Sequence, residues 1–155
     1  MQNLVPIEKI VSGGQTGVDR AALDAALELG IPCGGWCPKN RCAEDGQISR
    51  KYPLRETPTE TYAQRTEWNA LTSDGTLILT RGSLTGGTAY TVEIAQLAEK
   101  PLLLLQLSPD VEKTLFTEWI FKHDIKILNI AGARESQARG IYEAAKAYLL
   151  DLLKA

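Results

Sequence analysis

Two glycine-rich segments, each followed by a helical pattern, have the composition of loops that bind an anion. The first segment is SGGQTGVDR, residues 12–20, and the second is TGGTAYTVE, residues 85–93. Glycine allows a positive φ and a close approach of the backbone to a ligand, and the amino end of a helix offers free N–H groups and a positive dipole. Two such segments in one chain predict a site that holds a phosphate-bearing ligand between them.

The first segment supplies most of the predicted binding residues. They are the glycines and the polar residues around them, Gly13, Gly14, Gln15, Thr16, Gly17, Asp19 and Arg20. The segment has neither the Gly-Lys-Ser/Thr of a Walker loop nor a full G-x-G-x-x-G dinucleotide fingerprint. A tight turn that uses its glycines only for packing therefore stays an alternative. For Asp19 the alternative to ligand binding is a carboxylate in the first turn of the helix that interacts with the helix dipole.

The second segment repeats the arrangement and adds a carboxylate. We expect Gly86, Gly87 and Thr88 to contact the ligand and a helix to run over residues 88–99. Glu93 then lies in the second turn of that helix, where it is a candidate acid, base or acceptor for a ribose hydroxyl. The alternative for an isolated glutamate on a helix is a surface residue without a role.

Further polar and basic residues of interest lie outside the two segments. Tyr62, Arg65 and Asn69 fall at positions i, i+3 and i+7 of a predicted helix, on one face that is too polar for a core stripe. A solvated surface is the alternative for these three residues. Lys39 lies in a long polar segment, and Arg134 precedes the last predicted helix in NIAGARES. Single basic residues in loops are more often exposed to solvent than bound to a ligand, so that alternative stays open for both.

The elements that must position these residues alternate between strand and helix. Apolar runs predict strands at residues 7–11, 31–36, 76–80, 101–107 and 125–130. Helical patterns lie between and after them at residues 18–29, 61–71, 88–99, 109–121 and 136–153. Runs such as LLLLQL are apolar on both faces, which is typical of a parallel sheet covered by helices on each side. The chain therefore predicts a Rossmann-like three-layer α/β sandwich with a mostly parallel sheet, whose ligands bind beyond the carboxyl ends of the strands.

Local signals mark where two helices begin and where the alternation is interrupted. Ser108 followed by Pro109 predicts the start of the fourth helix, and Ser136 is the predicted cap of the last one. Residues 37–58 are too long and too polar for an ordinary connection. Aromatic and apolar residues within them, such as Tyr52, favour an ordered lid or wall over a disordered linker.

The overall composition predicts one domain and excludes several classes of protein. The chain has 155 residues, of which 44% are hydrophobic and 23% are charged, as in soluble globular proteins. A formal net charge of -2 argues against broad electrostatic attraction to nucleic acid or to an anionic membrane, so an anionic ligand must be held locally. Residues 1–14 lack the pattern of a secretion signal, and no apolar run approaches the ~20 residues of a spanning helix. We expect a cytoplasmic protein with a single domain over residues 1–155.

Three cysteines, Cys33, Cys37 and Cys42, lie within ten residues of the chain. In a cytoplasmic protein we expect them to be reduced. Their C-x3-C-x4-C spacing could supply three thiolates to a metal, but the only histidine, His123, is remote in sequence and there is no paired C-x-x-C. We therefore predict no metal site.

Several stretches of the chain together resemble a known family. SGGQTGVDRAALDAAL, GGWCPKNRCAEDGQISRKYPLRET, LTRGSLTGGTAYTVEIA and NIAGARES are similar to molybdenum carrier proteins, the circularly permuted YpsA-like branch of the SLOG superfamily. The resemblance implies a Rossmann-like fold and, for carrier members, binding of the molybdenum cofactor, a pterin with a phosphate and a dithiolene-bound metal, without a reaction of the protein's own. It also implies a homo-oligomer, with molybdoenzyme acceptors as partners. The pocket residues that it implies are residues 13–17, 19, 20 and 86–88.

Another branch of the same superfamily offers a rival interpretation. The phosphoribohydrolases once labelled lysine decarboxylases split a base from a nucleoside monophosphate, and their signature G-G-x-G-T-x-x-E is similar to residues 86–93. On that interpretation Arg65 and Glu93 would stabilise charge and position water at the glycosidic bond. Ala89 and Tyr90 replace the third glycine and the threonine of the signature. A third interpretation is a sensor of a nucleotide-derived signal that a partner protein reads.

Overall fold

A five-stranded parallel sheet lies at the centre of the computed structural model, which describes residues 6–84, 86–108 and 113–154. In chain order the elements are β1 (Lys9–Val11), α1 (Val18–Leu29), β2 (Cys33–Gly34), β3 (Trp36–Cys37), a 3-10 helix (Lys39–Arg41), β4 (Cys42–Ala43), β5 (Gly46–Gln47), β6 (Arg55–Glu56), α2 (Tyr62–Leu71), β7 (Gly75–Thr80), α3 (Gly86–Leu97), β8 (Leu102–Gln106), α4 (Lys113–Lys122), β9 (Ile127–Gly132) and α5 (Ile141–Leu153). The strand order of the sheet is β2-β1-β9-β7-β8, and each of these pairings is parallel.

Helices cover both faces of this sheet. The chain crosses from β1 to β2 in one direction along the sheet and from β7 to β8 in the other. Because crossovers between parallel strands are right-handed, α1 and α3 lie on opposite faces. α1 packs against α5, and α2 packs against α3. The predicted Rossmann-like three-layer α/β sandwich is confirmed.

One face of the sheet carries the apolar core. Side chains of β1, β7, β8 and β9 pack there against α1, α4 and α5. The large, fully buried side chains of this core include Ile10, Leu77, Leu79, Phe116, Ile120, Ile125, Leu128, Ile130 and Ile141. Four alanines of α1 are fully buried beside them, because a small side chain lets a helix lie close to a sheet.

The opposite face of the sheet buries polar side chains. Successive residues of a strand point to opposite faces, so Leu77 and Leu79 enter the apolar core while Thr76 and Thr80 face α2 and α3. The buried polar residues on this side are Arg65, Asn69, Thr76, Thr80, Thr88, Thr91 and Asn129. Buried polar groups need hydrogen-bond partners, from the protein, from water or from a ligand. This face is therefore the better candidate for a binding site.

The strand predicted over residues 31–36 is two short strands in the structure. Gly35, with a φ of 128°, separates β2 from β3. A side chain at Gly35 would place its Cβ 2.4 Å from the carbonyl oxygen of Ser12, so only glycine fits where the chain leaves the sheet. β3 then pairs with β6, from the far end of the long segment. The prediction of one strand over residues 31–36 is therefore wrong. The sequence could not reveal the second pairing, because β6 is only two residues long and has no recognisable pattern.

Two helix starts predicted in the last third of the chain have different outcomes. α5 begins at Ile141, with Gly140 as its N-cap. The cap predicted at Ser136 is wrong, because the helix begins five residues later. The Ser136 hydroxyl instead donates a hydrogen bond of 2.5 Å to Glu44. The helix start predicted at Pro109 lies outside the described residues.

Residues 37–58 form an ordered wall beside α1, which confirms the expectation for this segment. The Arg41 guanidinium is buried and donates to backbone carbonyl groups of the segment, those of Ile48, Ser49, Tyr52 and Leu54. A second apolar cluster joins the segment to α1 through Leu23, Cys37, Ile48, Tyr52 and Leu54. One buried arginine and one apolar cluster thus hold the long segment in place.

Candidate functional site

A cleft opens on the polar face, where residues that end or follow β1 and β9 meet α2 and α3. This position is the one that open parallel sheets use for ligands, outside the carboxyl ends of the strands where the crossovers diverge. Its volume is about 120 Å³, and it is open to solvent. A ligand larger than this volume extends out of the open mouth.

Half of the predicted site residues line this cleft. They are Gly13, Gln15, Asp19, Arg65, Gly87, Thr88 and Arg134. Arg65 lies so close to Gly13 that a Cβ at this glycine would be 2.2 Å from the Arg65 Nη1 atom. The glycine is therefore what lets the arginine side chain pass beneath the first segment into the cleft.

The other predicted residues lie outside the cleft. They are Gly14, Thr16, Gly17, Arg20, Lys39, Gly86 and Glu93. Gly14 has a packing role, because a Cβ there would be 2.6 Å from a methyl group of Leu54. Glu93 is exposed on α3, and the structure does not bring it together with Arg65 at the cleft.

A buried ion pair joins the first segment to α2. The Arg65 Nη1 atom lies 3.1 Å from the Asp19 Oδ2 atom, and each side chain is 10% exposed. Burial raises the pKa of the Asp19 carboxyl, although the Arg65 charge and the N–H of Gln15 oppose that rise. The Gln15 N–H donates to Asp19 at 3.2 Å. The protein's own carboxylate therefore occupies the amino end of α1, where an anionic ligand would otherwise lie.

Further backbone N–H groups of the first segment are engaged within the protein. Thr16 donates to the Gln15 side chain at 3.1 Å, and Arg20 donates to the Gln15 carbonyl at 3.0 Å. Val18 donates to the Ala133 carbonyl at 3.2 Å. These contacts occupy part of the amino end of the helix, which we expected to offer free N–H groups. The N–H groups of Gly17 and Asp19 donate to none of the described residues, so the first segment satisfies its hydrogen bonds only in part.

The second segment presents an open helix end to the cleft. α3 begins at Gly86 and not at residue 88 as predicted, so Gly86, Gly87 and Thr88 form its first turn. No residue in the described part of the chain accepts a hydrogen bond from their N–H groups. Gly87 and Thr88 line the cleft, and the space into which a side chain at Gly87 would point is open. Unpaired N–H groups at a positive helix end are suited to an anion.

Two guanidinium groups lie near the ring of Tyr62 in the cleft. The Arg65 Cζ atom is 5.3 Å and the Arg134 Cζ atom 5.6 Å from the centroid of that ring, within the range of cation–π attraction. Arg134 forms no ion pair with any of the described residues. The charged residues that line the cleft are these two arginines and Asp19. The cleft therefore has one net positive charge in a chain whose net charge is -2.

Comparison with known proteins assigns the chain to a family. The model of the circularly permutated YpsA SLOG family matches residues 10–153, almost the whole chain. The chain belongs to this SLOG family. It is 47% identical to a protein from Syntrophus aciditrophicus SB whose crystal structure carries the name putative molybdenum carrier protein. The two structures superpose with a TM-score of 0.91 over 97% of this chain and 96% of the other. No curated protein matches the chain.

Several cleft residues of this SLOG protein were not among the predicted ones. They are Thr66, Thr91, Asn129 and Gln137. Asn129 interrupts the otherwise apolar strand ILNIAG, and that interruption is the signal that could have indicated it. The Thr91 hydroxyl donates to the Gly87 carbonyl at 2.8 Å. No sequence pattern points to Thr91, because a threonine is ordinary on a helix.

The hairpin β4–β5 of the SLOG protein ties the first segment to the loop after β9. Glu44 accepts hydrogen bonds from the Thr16 hydroxyl and from the backbone N–H of Ser136, the latter at 3.2 Å. Burial raises the pKa of Glu44, but hydrogen bonds from Ser136 and Thr16 outweigh it and hold this pKa below its usual value. Arg20 is bound to Asp45 of the same hairpin at 2.8 Å. These residues fix the loops and do not contact the cleft.

Metal-binding clusters and membrane-spanning helices are absent from the described part of the chain. No group of three or more His, Cys, Asp or Glu side chains among residues 6–84, 86–108 and 113–154 is arranged to hold a metal ion. Cys33, Cys37 and Cys42 are free thiols, and burial raises the pKa of the first two. None of the helices in these ranges is both long and apolar enough to cross a membrane.

Proposed function

We propose that this SLOG protein binds and carries a phosphate-bearing small molecule of the molybdenum cofactor class, with the phosphate at the amino end of α3. The observation that carries the proposal is the first turn of α3, where the N–H groups of Gly87 and Thr88 donate to none of the described residues and line the same cleft as Arg134. A bound phosphate is stabilised by several N–H donors and a nearby guanidinium. The name of the Syntrophus aciditrophicus protein supports the choice of ligand class.

The remaining cleft residues suit the flat ring system of a pterin or a nucleotide base. Tyr62 offers an aromatic ring against which such a ring system can stack. The cleft of about 120 Å³ holds part of such a ligand, and the rest of the ligand extends into the open mouth. The side chains that line the cleft include neither a thiolate nor an imidazole. A metal in the cargo would therefore keep the ligands that it brings.

The hydrolase interpretation has less support. Glu93, the carboxylate that it requires, is exposed and does not line the cleft. Asp19 is a carboxylate that does, but its ion pair with Arg65 leaves it poorly placed to activate water. We therefore propose a cytoplasmic binding protein, with molybdoenzymes as the acceptors of its cargo.

We also propose that the protein is a homo-oligomer. Leu97 of α3 is 74% exposed and Leu104 of the neighbouring edge strand β8 is 38% exposed. An apolar surface beside the unpaired edge of a sheet is typical of an interface. Analytical ultracentrifugation of the wild type and of Leu97→Glu tests this. We expect a dimer or larger species that the substitution dissociates, and a monomeric wild type would contradict it.

Extraction of the purified protein tests the proposed cargo. The protein is denatured, the extract is oxidised, and pterin fluorescence and molybdenum are measured for the wild type, Arg134→Ala and Arg139→Ala. Arg139 is exposed and outside the cleft, so its loss changes the net charge equally and is the matched control. We expect pterin with molybdenum in the wild type and in Arg139→Ala, and little in Arg134→Ala. A nucleotide without pterin in the wild type, or equal pterin in all three proteins, contradicts the proposal.

A further inference from the structure

The floor of the cleft contains a polar side chain that the protein leaves partly unsatisfied. Asn129 is 3% exposed and lines the cleft. Its Nδ2 group donates to the Thr76 hydroxyl oxygen at 3.3 Å, but no described residue donates to its Oδ1 atom. Among the described residues the buried side-chain atom without any partner is the Tyr148 hydroxyl, so the Oδ1 atom of Asn129 keeps access to the cleft. A ligand in the cleft can therefore reach this acceptor and donate to it.

Asn129 lies at the other end of the cleft from the proposed phosphate site. It precedes the end of β9 at Gly132 by three residues, which is about 10 Å at the rise of a strand. It stands opposite Val11 and Thr76 of the two neighbouring strands, within the sheet. Arg134 and the amino end of α3, in contrast, lie at the carboxyl ends of the strands. A ligand that contacts both the phosphate site and Asn129 must therefore extend along the cleft, from the carboxyl ends of the strands toward the middle of the sheet.

Two other polar side chains that line the cleft, Asn69 and Thr91, already have partners in the protein. Asn69 uses both atoms of its amide on the backbone of Trp36, at 2.8 and 2.9 Å. The Thr91 hydroxyl is bound to the Gly87 carbonyl. The charged side chains of the cleft are the two arginines and Asp19, which is paired with Arg65. The Oδ1 atom of Asn129, in contrast, accepts from no described residue and is open toward a ligand in the cleft.

From this geometry we propose that Asn129 determines specificity by accepting a hydrogen bond from an N–H group at the edge of the ligand's ring system. The inference rests on the proposed function, because it takes the phosphate to lie at the amino end of α3. An amide oxygen accepts from an N–H but gains nothing from a ring nitrogen that has only a lone pair. A site built around such a bond rejects an analogue without the N–H, because its own buried group is then left unpaired.

Titration with two pterin monophosphates tests this role of Asn129. One probe is 6-hydroxymethylpterin monophosphate, and the other is the same compound methylated at N3 and twice on the exocyclic nitrogen, so that neither nitrogen carries a hydrogen. Fluorescence gives their affinities for the wild type and for Asn129→Ala, and calorimetry gives the affinity of both proteins for inorganic phosphate. We expect the wild type to prefer the parent pterin by about tenfold. We expect Asn129→Ala to bind the parent pterin about tenfold more weakly, with unchanged affinity for phosphate.

The other outcomes separate this inference from the proposed function. Equal affinity of the wild type for both pterins, or equal affinity of both proteins for the parent pterin, contradicts the role of Asn129 and leaves the phosphate site intact. Loss of phosphate binding in Asn129→Ala assigns the amide to support of the cleft and also contradicts that role. A wild type that binds neither phosphate nor pterin overturns the proposed function itself. Should Asn129→Ala fail to fold, the preference of the wild type between the two pterins still decides.

Discussion

The face of the central sheet beneath α1, α4 and α5 differs from the face beneath α2 and α3 in what it buries. The first buries large apolar side chains such as Phe116 and Ile130. The second also buries Ile78, but it adds several polar side chains, among them Arg65 and Asn129. Because burial of apolar surface is the main stabilising contribution to a fold, the polar face contributes less stability and leaves hydrogen-bonding groups available to a ligand. Substitutions on the two faces should therefore affect stability and binding separately.

The largest loss of stability is expected from Phe116→Ala, on the apolar face. Phe116 is fully buried, and truncation of such a residue lowers the free energy of unfolding by about 3–5 kcal/mol. The phosphate affinity of the folded fraction should stay unchanged, because Phe116 does not line the cleft. Denaturant unfolding and calorimetry measure the two quantities. A loss below about 1 kcal/mol, or a loss of affinity, would contradict the division between the faces.

Arg65→Leu should lower both stability and binding, because Arg65 belongs to the ion pair and to the cleft. The substitution leaves the Asp19 carboxylate buried without its partner, which costs about 3 kcal/mol. Adding Asp19→Asn should restore much of the free energy of unfolding but not the phosphate affinity. Denaturant unfolding and calorimetry on both variants test this. A double variant no more stable than Arg65→Leu would mean that the unpaired carboxylate is not the cause.

Stability and binding should change in opposite directions in Gly87→Ala. Alanine is favoured over glycine in a helix by about 0.5–1 kcal/mol, and a Cβ at this position meets nothing within 4 Å. That Cβ would nevertheless stand in the open space beside the N–H groups that we assign to the phosphate. Thermal unfolding should show a slightly higher Tm, and calorimetry a weaker affinity for phosphate. Unchanged affinity would place the anion elsewhere.

The smallest effect is expected from Glu44→Gln, on the hairpin that ties the loops together. The pKa of Glu44 in the folded protein lies below the ordinary value of 4.5, so the ionised carboxylate stabilises the fold. This contribution is fully present above that ordinary value and is lost as the pH falls through the folded pKa. The wild type should be more stable than the variant at neutral pH and should lose its advantage in acid. A stability difference that does not change with pH would argue against the role of the carboxylate.

Much of the fold could be predicted because its signals are local. The apolar runs indicate β1, β7, β8 and β9, and their alternation with helical patterns predicts the three-layer sandwich. The division of residues 31–36 at Gly35 could not be predicted. It depends on a close approach to Ser12 and on pairing with β6, both distant in sequence.

The candidate site was predictable in outline and not in its hydrogen bonds. The spacing of Tyr62, Arg65 and Asn69 indicates one helical face, and all three residues line the cleft. The two glycine segments look alike in sequence, yet the first donates to the Asp19 carboxylate and to the Ala133 carbonyl. Which N–H groups remain unpaired depends on tertiary contacts, which a sequence pattern does not contain.

Backbone amide chemical shifts during a titration with inorganic phosphate most directly test the claim that the polar face binds an anion at α3. We predict that the amide signals of Gly87 and Thr88 shift most. The amides of Thr16 and Val18 should shift little, because they already donate to acceptors in the protein. Largest shifts at Thr16 and Val18, or no shift at either helix end, would contradict the account.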